Sequence, residues 1–115
     1  MTPAERFDAV AAELTAADGV SLPAGGRRFG GQALRRHGRI VAMLTQGQLA
    51  VRLPAARVDA LVAAGHGTHY DAGRGSPMRQ WLSLSPQSPL SWSDVMREAV
   101  EFGAAHRDHG SHLPR

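Results

Sequence analysis

Apolar residues fall at helical spacing in three stretches of this 115-residue chain and at strand spacing between them. Phe7, Val10, Ala11 and Leu14 stand at i, i+3, i+4 and i+7, one apolar stripe of a helix. Thr2-Pro3-Ala4-Glu5 ahead of them is a capping box: threonine can accept from the third amide, proline suits the first helical position and glutamate can reach back to the cap. Asp18-Gly19 supplies the stop.

From Val20 to Arg28 the chain has no helical period and contains a proline and two glycines, which makes a connector with room for a short extended piece. Three strands are predicted next, Gln32–Arg36, Arg39–Thr45 and Gln48–Leu53. His37-Gly38 and Gln46-Gly47 join them, and such X-Gly pairs suit two-residue hairpin turns. In the middle strand Ile40, Ala42 and Leu44 are expected on one face and Val41 and Met43 on the other, both faces being partly covered. In the third, Leu49, Val51 and Leu53 face the core and Ala50 and Arg52 face away.

Pro54 opens a second helix with the stripe Val58, Leu61 and Val62 and with Gly65 after its end. Thr68–Asp71 reads as a short strand and AGRGSP as a loop. Met78–Leu84 reads as a strand in which Leu82 and Leu84 alternate with Trp81 and Ser83. Ser91-x-x-Asp94 caps a third helix with Trp92, Val95, Met96, Ala99 and Phe102 at helical spacing, ending near Gly103 to Ala105. The expectation is one α+β domain over 1–105, an antiparallel sheet of about five strands with three helices in the order α-β-β-β-α-β-β-α. A polar tail over 106–115, broken by Gly110 and Pro114, is expected to fray.

Composition narrows the function classes. With 43% hydrophobic and 20% charged residues the chain can bury a core as one domain. Without cysteine it has no disulfide, thiolate metal site or cysteine nucleophile, which favours a reducing cytoplasm. Its N-terminus lacks the apolar core of an export signal, and no window approaches the roughly 18 apolar residues of a membrane span. All thirteen basic residues are arginine, yet the net charge is only +3, and GC-rich coding explains arginine without lysine as well as nucleic-acid binding does.

GGRRFGG, Gly25–Gly31, raises the question of a phosphate loop. It lacks the G-x-x-x-x-G-K-[ST] pattern and opens no helix, so Gly30 and Gly31 are read as a close backbone approach at a strand entrance anchored by Phe29. Arg27, Arg28, Arg35, Arg36 and Arg39 cluster around the first hairpin as a basic edge. Such an edge would bind nucleic acid through phosphates, without sequence preference, or simply deter strand pairing.

Other constellations are weaker. His66 and His69 sit in a glycine-rich turn with only Asp71 near, and His106, His109 and His112 fall in the tail, so no metal or cofactor is expected. Ser76, His69 and Asp71 contain the residue types of a hydrolytic triad without the G-x-S-x-G frame, and no catalytic role is assigned. Trp81, alternating away from Leu82 and Leu84, shares the outer sheet face with Val41, Met43 and Ala50. That face is either covered or an apolar patch for a protein partner or a second copy.

Phe29-Gly30-Gly31 before the meander, His37-Gly38 followed by RIVAML, LAVRLP over Leu49–Pro54, and Pro77-Met78 followed by Trp81 occur in an order that resembles the N-terminal domain of the bacterial TfoX competence regulators. Arg28 stands where that family commonly has methionine. The resemblance covers nearly the whole chain but only the first of the regulators' two domains, and it implies an α+β fold with no catalytic residues to carry over. The expectation is therefore a cytoplasmic, non-enzymatic interaction or regulatory module, a single-domain relative. The alternative is a sequence-unspecific nucleic-acid binder using the arginine edge.

Overall fold

In the computed structural model, residues 2–22, 32–70 and 78–112 are described, with side chains over 2–22, 33–70 and 79–103. The elements are α1 (Pro3–Leu14), β1 (Val20–Ser21), β2 (Gln32–Arg36), β3 (Arg39–Thr45), β4 (Gln48–Arg52), α2 (Ala55–Ala63), β5 (Thr68–Tyr70), β6 (Met78–Leu84) and α3 (Trp92–His112). The described strands form one sheet in the order β1-β2-β3-β4-β6-β5, and every neighbouring pair is antiparallel. The predicted α+β meander is therefore present, with a two-residue edge strand added from the connector.

Local chemistry accounts for the punctuation. Thr2 accepts from the Glu5 amide at 3.1 Å while the Glu5 carboxylate accepts from the Thr2 amide at 2.9 Å, so the capping box closes both ways. His37 and Gly38 (φ 52° and 84°) and Gln46 and Gly47 (53° and 76°) both lie in the left-handed region, as a two-residue hairpin turn demands. Gly65, at φ 80°, ends α2: its amide donates to the Val62 carbonyl and the His66 amide to the Leu61 carbonyl, closing the Schellman motif. Ser91 caps α3 by accepting from the Asp94 amide at 3.2 Å.

The register puts one row of apolar side chains across the sheet. Leu34 faces Ala42, Ala42 faces Val51 and Val51 faces Leu82, while Leu44, Leu49 and Leu84 form a second row. These cluster with Phe7 and Ala11 of α1, Val58 and Leu61 of α2, and Trp92, Val95, Met96, Ala99 and Val100 of α3. The helices thus cover one face of the sheet, and the core lies between. Arg6 ties α1 to the approach to α3, its guanidinium 4.4 Å over the buried Trp92 ring and donating to the Pro86 carbonyl at 3.1 Å.

Two expectations need correcting. Pairing runs from Leu34–Ala42 directly to Arg35–Ile40, so Val41 is the extra residue of a β-bulge. The bulge breaks strict alternation and brings Val41, 1% exposed, into the core cluster rather than onto the outer face with Met43. Helix α3 runs on to His112 instead of ending near Ala105. Alanines 104 and 105 are strong helix formers, each glycine inside a helix costs only about 1 kcal/mol, and Pro114 lies beyond the last turn.

Candidate functional site

On the sheet face turned away from the core, Ala33, Met43, Ala50, Ser83 and Thr68 are successive cross-strand neighbours. Ala50 is fully buried yet does not belong to the core cluster, which marks this face as distinct from the one under the helices. Ser83 donates to the Gln48 side chain at 2.7 Å, satisfying its hydroxyl. Trp81 and Tyr70 meet with ring centroids 6.3 Å apart and planes tilted 55°. Met43, Tyr70 and Trp81 are each half-buried. Of the three residues expected as a partner patch, the structure keeps Met43 and Trp81 on this face and takes Val41 away from it.

The arginine edge is divided by the fold. Arg36 packs toward α3 and donates to the Val100 carbonyl at 3.3 Å, with its Nε buried. Arg35 donates to the Gly38 carbonyl at 3.2 Å across the hairpin tip. Arg39 is exposed at the strand start opposite Arg36. Arg27 and Arg28, like the structural motif Phe29, Gly30, Gly31 and Pro77, lie outside the described residues. Met78 begins β6. Next to the hairpin tip, Gly19 (φ 77°) leaves space that the His37 imidazole occupies, and the His37 amide donates to the Gly19 carbonyl at 2.7 Å. His37 is thus engaged with the β1 approach.

A recess of about 490 Å³ opens where β4 ends against β6, lined by Arg52, Ala55, Arg79, Gln80 and Trp81. The register creates it: Arg52, the last residue of β4, pairs with Trp81, and the Leu53 amide donates to the Gln80 carbonyl at 2.9 Å. The Arg52 guanidinium donates to Gln80 Oε1 at 3.0 Å and lies 5.5 Å from the centre of the Phe102 ring. Burial first, and then the positive charge of Arg39, hold its pKa below the ordinary arginine value. Arg79 is exposed at the rim. Ala55 is the first residue of α2, whose N-terminus has no side-chain cap.

Sequence reasoning named Trp81 but not the recess around it. Arg52 and Arg79 lie 27 positions apart, and only the folded sheet brings both to the lining of this recess.

Of the hydrolytic and metal constellations, only the His66 and His69 side chains lie among the described residues. His69 Nε2 is 3.0 Å from Asp59 Oδ1 on α2, an exposed pair. Asp71 and Ser76 lie outside the described residues. The His66 carbonyl accepts from Ser88 at 2.7 Å, a contact that belongs to the loop before α3. Among the described residues no group of three histidine, aspartate or glutamate side chains could hold a metal ion, and no helix is long and apolar enough to cross a membrane.

No family model, curated protein or solved structure matches the chain.

Proposed function

We propose that the chain is a non-enzymatic interaction or regulatory module of the TfoX N-terminal type, working in the cytoplasm through the sheet face that carries Trp81 and Met43. The observation behind this is the row Ala33–Met43–Ala50–Ser83–Thr68 with the Trp81–Tyr70 pair beside it, on the face turned away from the core cluster. Met43, Tyr70 and Trp81 are half-buried around the buried Ala50 and Ser83, and aromatic and thioether groups of this kind pack against another protein or a second copy. A sheet face of this kind can pair with its own image about a two-fold axis.

The nucleic-acid reading has less support. Arg36 is held on the Val100 carbonyl, so of the described edge arginines Arg39 alone stands in the open. Exposed arginines by themselves give only a salt-dependent, unspecific attraction.

The two readings separate on the same variants. Trp81→Ala should weaken self-association by about thirtyfold, as loss of an aromatic anchor costs about 2 kcal/mol. Arg39→Ala should leave self-association unchanged. A nucleic-acid binder would reverse the pattern, with Arg39→Ala lowering affinity for all sequences alike and flattening the salt dependence.

A further inference from the structure

The six strands carry five arginines, Arg35, Arg36, Arg39, Arg52 and Arg79, and neither aspartate nor glutamate. Every acidic residue among the described ones lies instead on a helix or, for Asp18, in the turn after α1. Strand direction sharpens this division. Arg35 and Arg36 end β2, Arg39 begins β3, Arg52 ends β4 and Arg79 stands second in β6, and in an antiparallel sheet these positions share one end. The opposite end has Gln32, Thr45, Gln48 and Leu84, none of them charged. Arg36 is turned toward α3 and Arg52 is hydrogen-bonded to Gln80, whereas Arg39 and Arg79 are exposed. Arg79 lies two residues before Trp81 and Arg35 two after Ala33, so alternation puts both on the face that carries Met43 and Ala50. A partner on this face meets an apolar middle with a positive margin at one end, and complementary charge at such a margin discriminates between partners. A second copy docking through the same face does not supply that complement: an isologous contact sets like against like, and no described acid stands there.

From this we infer that the face takes an acidic peptide segment of another protein, its carboxylates at the arginine end beside Arg39 and Arg79 and its apolar side chains over Met43 and Trp81. The inference rests on the reading of this face as an association surface and names its partner; a second copy is the weaker occupant. A nucleic-acid strand would follow the arginines but leave the apolar middle uncovered, and Trp81 and Tyr70, packed on each other, form one aromatic platform rather than a succession of them.

The test titrates the full chain, at low protein concentration and low salt, with a short synthetic peptide alternating glutamate with leucine, with its glutamine counterpart and with oligothymidylate. Binding is read by NMR at the Trp81 indole N–H and the Met43 methyl, which Trp81→Phe and Met43→Leu variants assign. The glutamate peptide should shift both signals saturably and bind at least about tenfold tighter than the glutamine peptide, a difference that shrinks in high salt. Arg79 is exposed, so Arg79→Ala should keep the fold while weakening the glutamate peptide about threefold and leaving the glutamine peptide unaffected. Equal binding of the two peptides overturns the inference while leaving an association surface in place. Absence of a saturable shift with the glutamate peptide overturns it too, as does tighter binding of oligothymidylate or an Arg79→Ala variant that binds the glutamate peptide like the parent. Association of the protein with itself is measured separately, by dilution without peptide, so the two proposals fail independently.

Discussion

Gly67 lies just before β5 with its α-carbon against the middle of β6. A β-carbon added there would stand 2.7 Å from the Ser83 carbonyl oxygen, 2.8 Å from Leu84 Cδ2 and 3.0 Å from Leu82 Cδ1. The first contact is about 0.7 Å short of the 3.4 Å at which ordinary contact begins, and its partner is backbone paired to β4 on one side and β5 on the other. Neither a rotamer change nor a loop shift relieves it. β5 must move off the sheet. Overpacking of this kind costs about 1–3 kcal/mol, and the stiffer unfolded chain of alanine offsets about 0.4–1 kcal/mol. Gly67→Ala should therefore lose about 1–2 kcal/mol net, a fall in Tm of roughly 4–8 °C.

Gly65, two positions earlier, is the control. Nothing lies within 4 Å of its added β-carbon, and its cost comes from φ 80° alone. Asparagine tolerates that backbone, so Gly65→Asn should recover part of what Gly65→Ala loses, whereas Gly67→Asn should be worse than Gly67→Ala. Urea unfolding with unchanged m-value measures both pairs. A Gly67→Ala protein as stable as the parent would refute the close approach of β5 to β6.

Other perturbations test other joints. Gly19→Ala should cost about 2–3 kcal/mol, because its β-carbon lands on the His37 ring and its φ is positive; in a His37→Ala background the cost should fall to the backbone strain of about 1 kcal/mol, a coupling that thermal melts of the double-mutant cycle will detect. Arg57 on α2 and Glu98 on α3 form a two-point pair, Nε to Oε1 at 3.0 Å and Nη2 to Oε2 at 3.1 Å, which raises the Arg57 pKa through hydrogen bonding and then charge. Both side chains are more than a third exposed, so Glu98→Gln should cost no more than about 1 kcal/mol and the difference should vanish in high salt, checked by denaturation at two ionic strengths.

Where structure is set by neighbours in the chain, the sequence was readable. The X-Gly hairpins, the capping box at Thr2 and the glycine stop at Gly65 each depend on a few adjacent residues whose conformational preferences are strong. The alternation of β4 and β6 was equally legible, since a two-residue period leaves little choice of face. Val41 was not legible, because a bulge arises from how β2 and β3 fit together and leaves no mark in the alternation of RIVAML. Gly103 reads as a stop for α3 in the sequence, yet the helix runs through it. In the fold that glycine instead sits against the Val41 Cγ1 methyl, where a β-carbon would come within 2.9 Å. The recess depends on strand order, with β6 rather than β5 beside β4, and patterning alone does not supply that order.

Spectral change on dilution tests the central claim most directly. Backbone and side-chain NMR spectra would be recorded from about 1 mM, where an association free energy of only about −4 kcal/mol is half-saturating, down to concentrations well below it. The proposed interface predicts concentration-dependent shifts confined to Ala33, Met43, Ala50, Tyr70, Trp81 and Ser83, abolished by Trp81→Ala. Spectra that do not change with concentration, or changes centred on the helices or the His37-Gly38 hairpin, would contradict an association surface on this face.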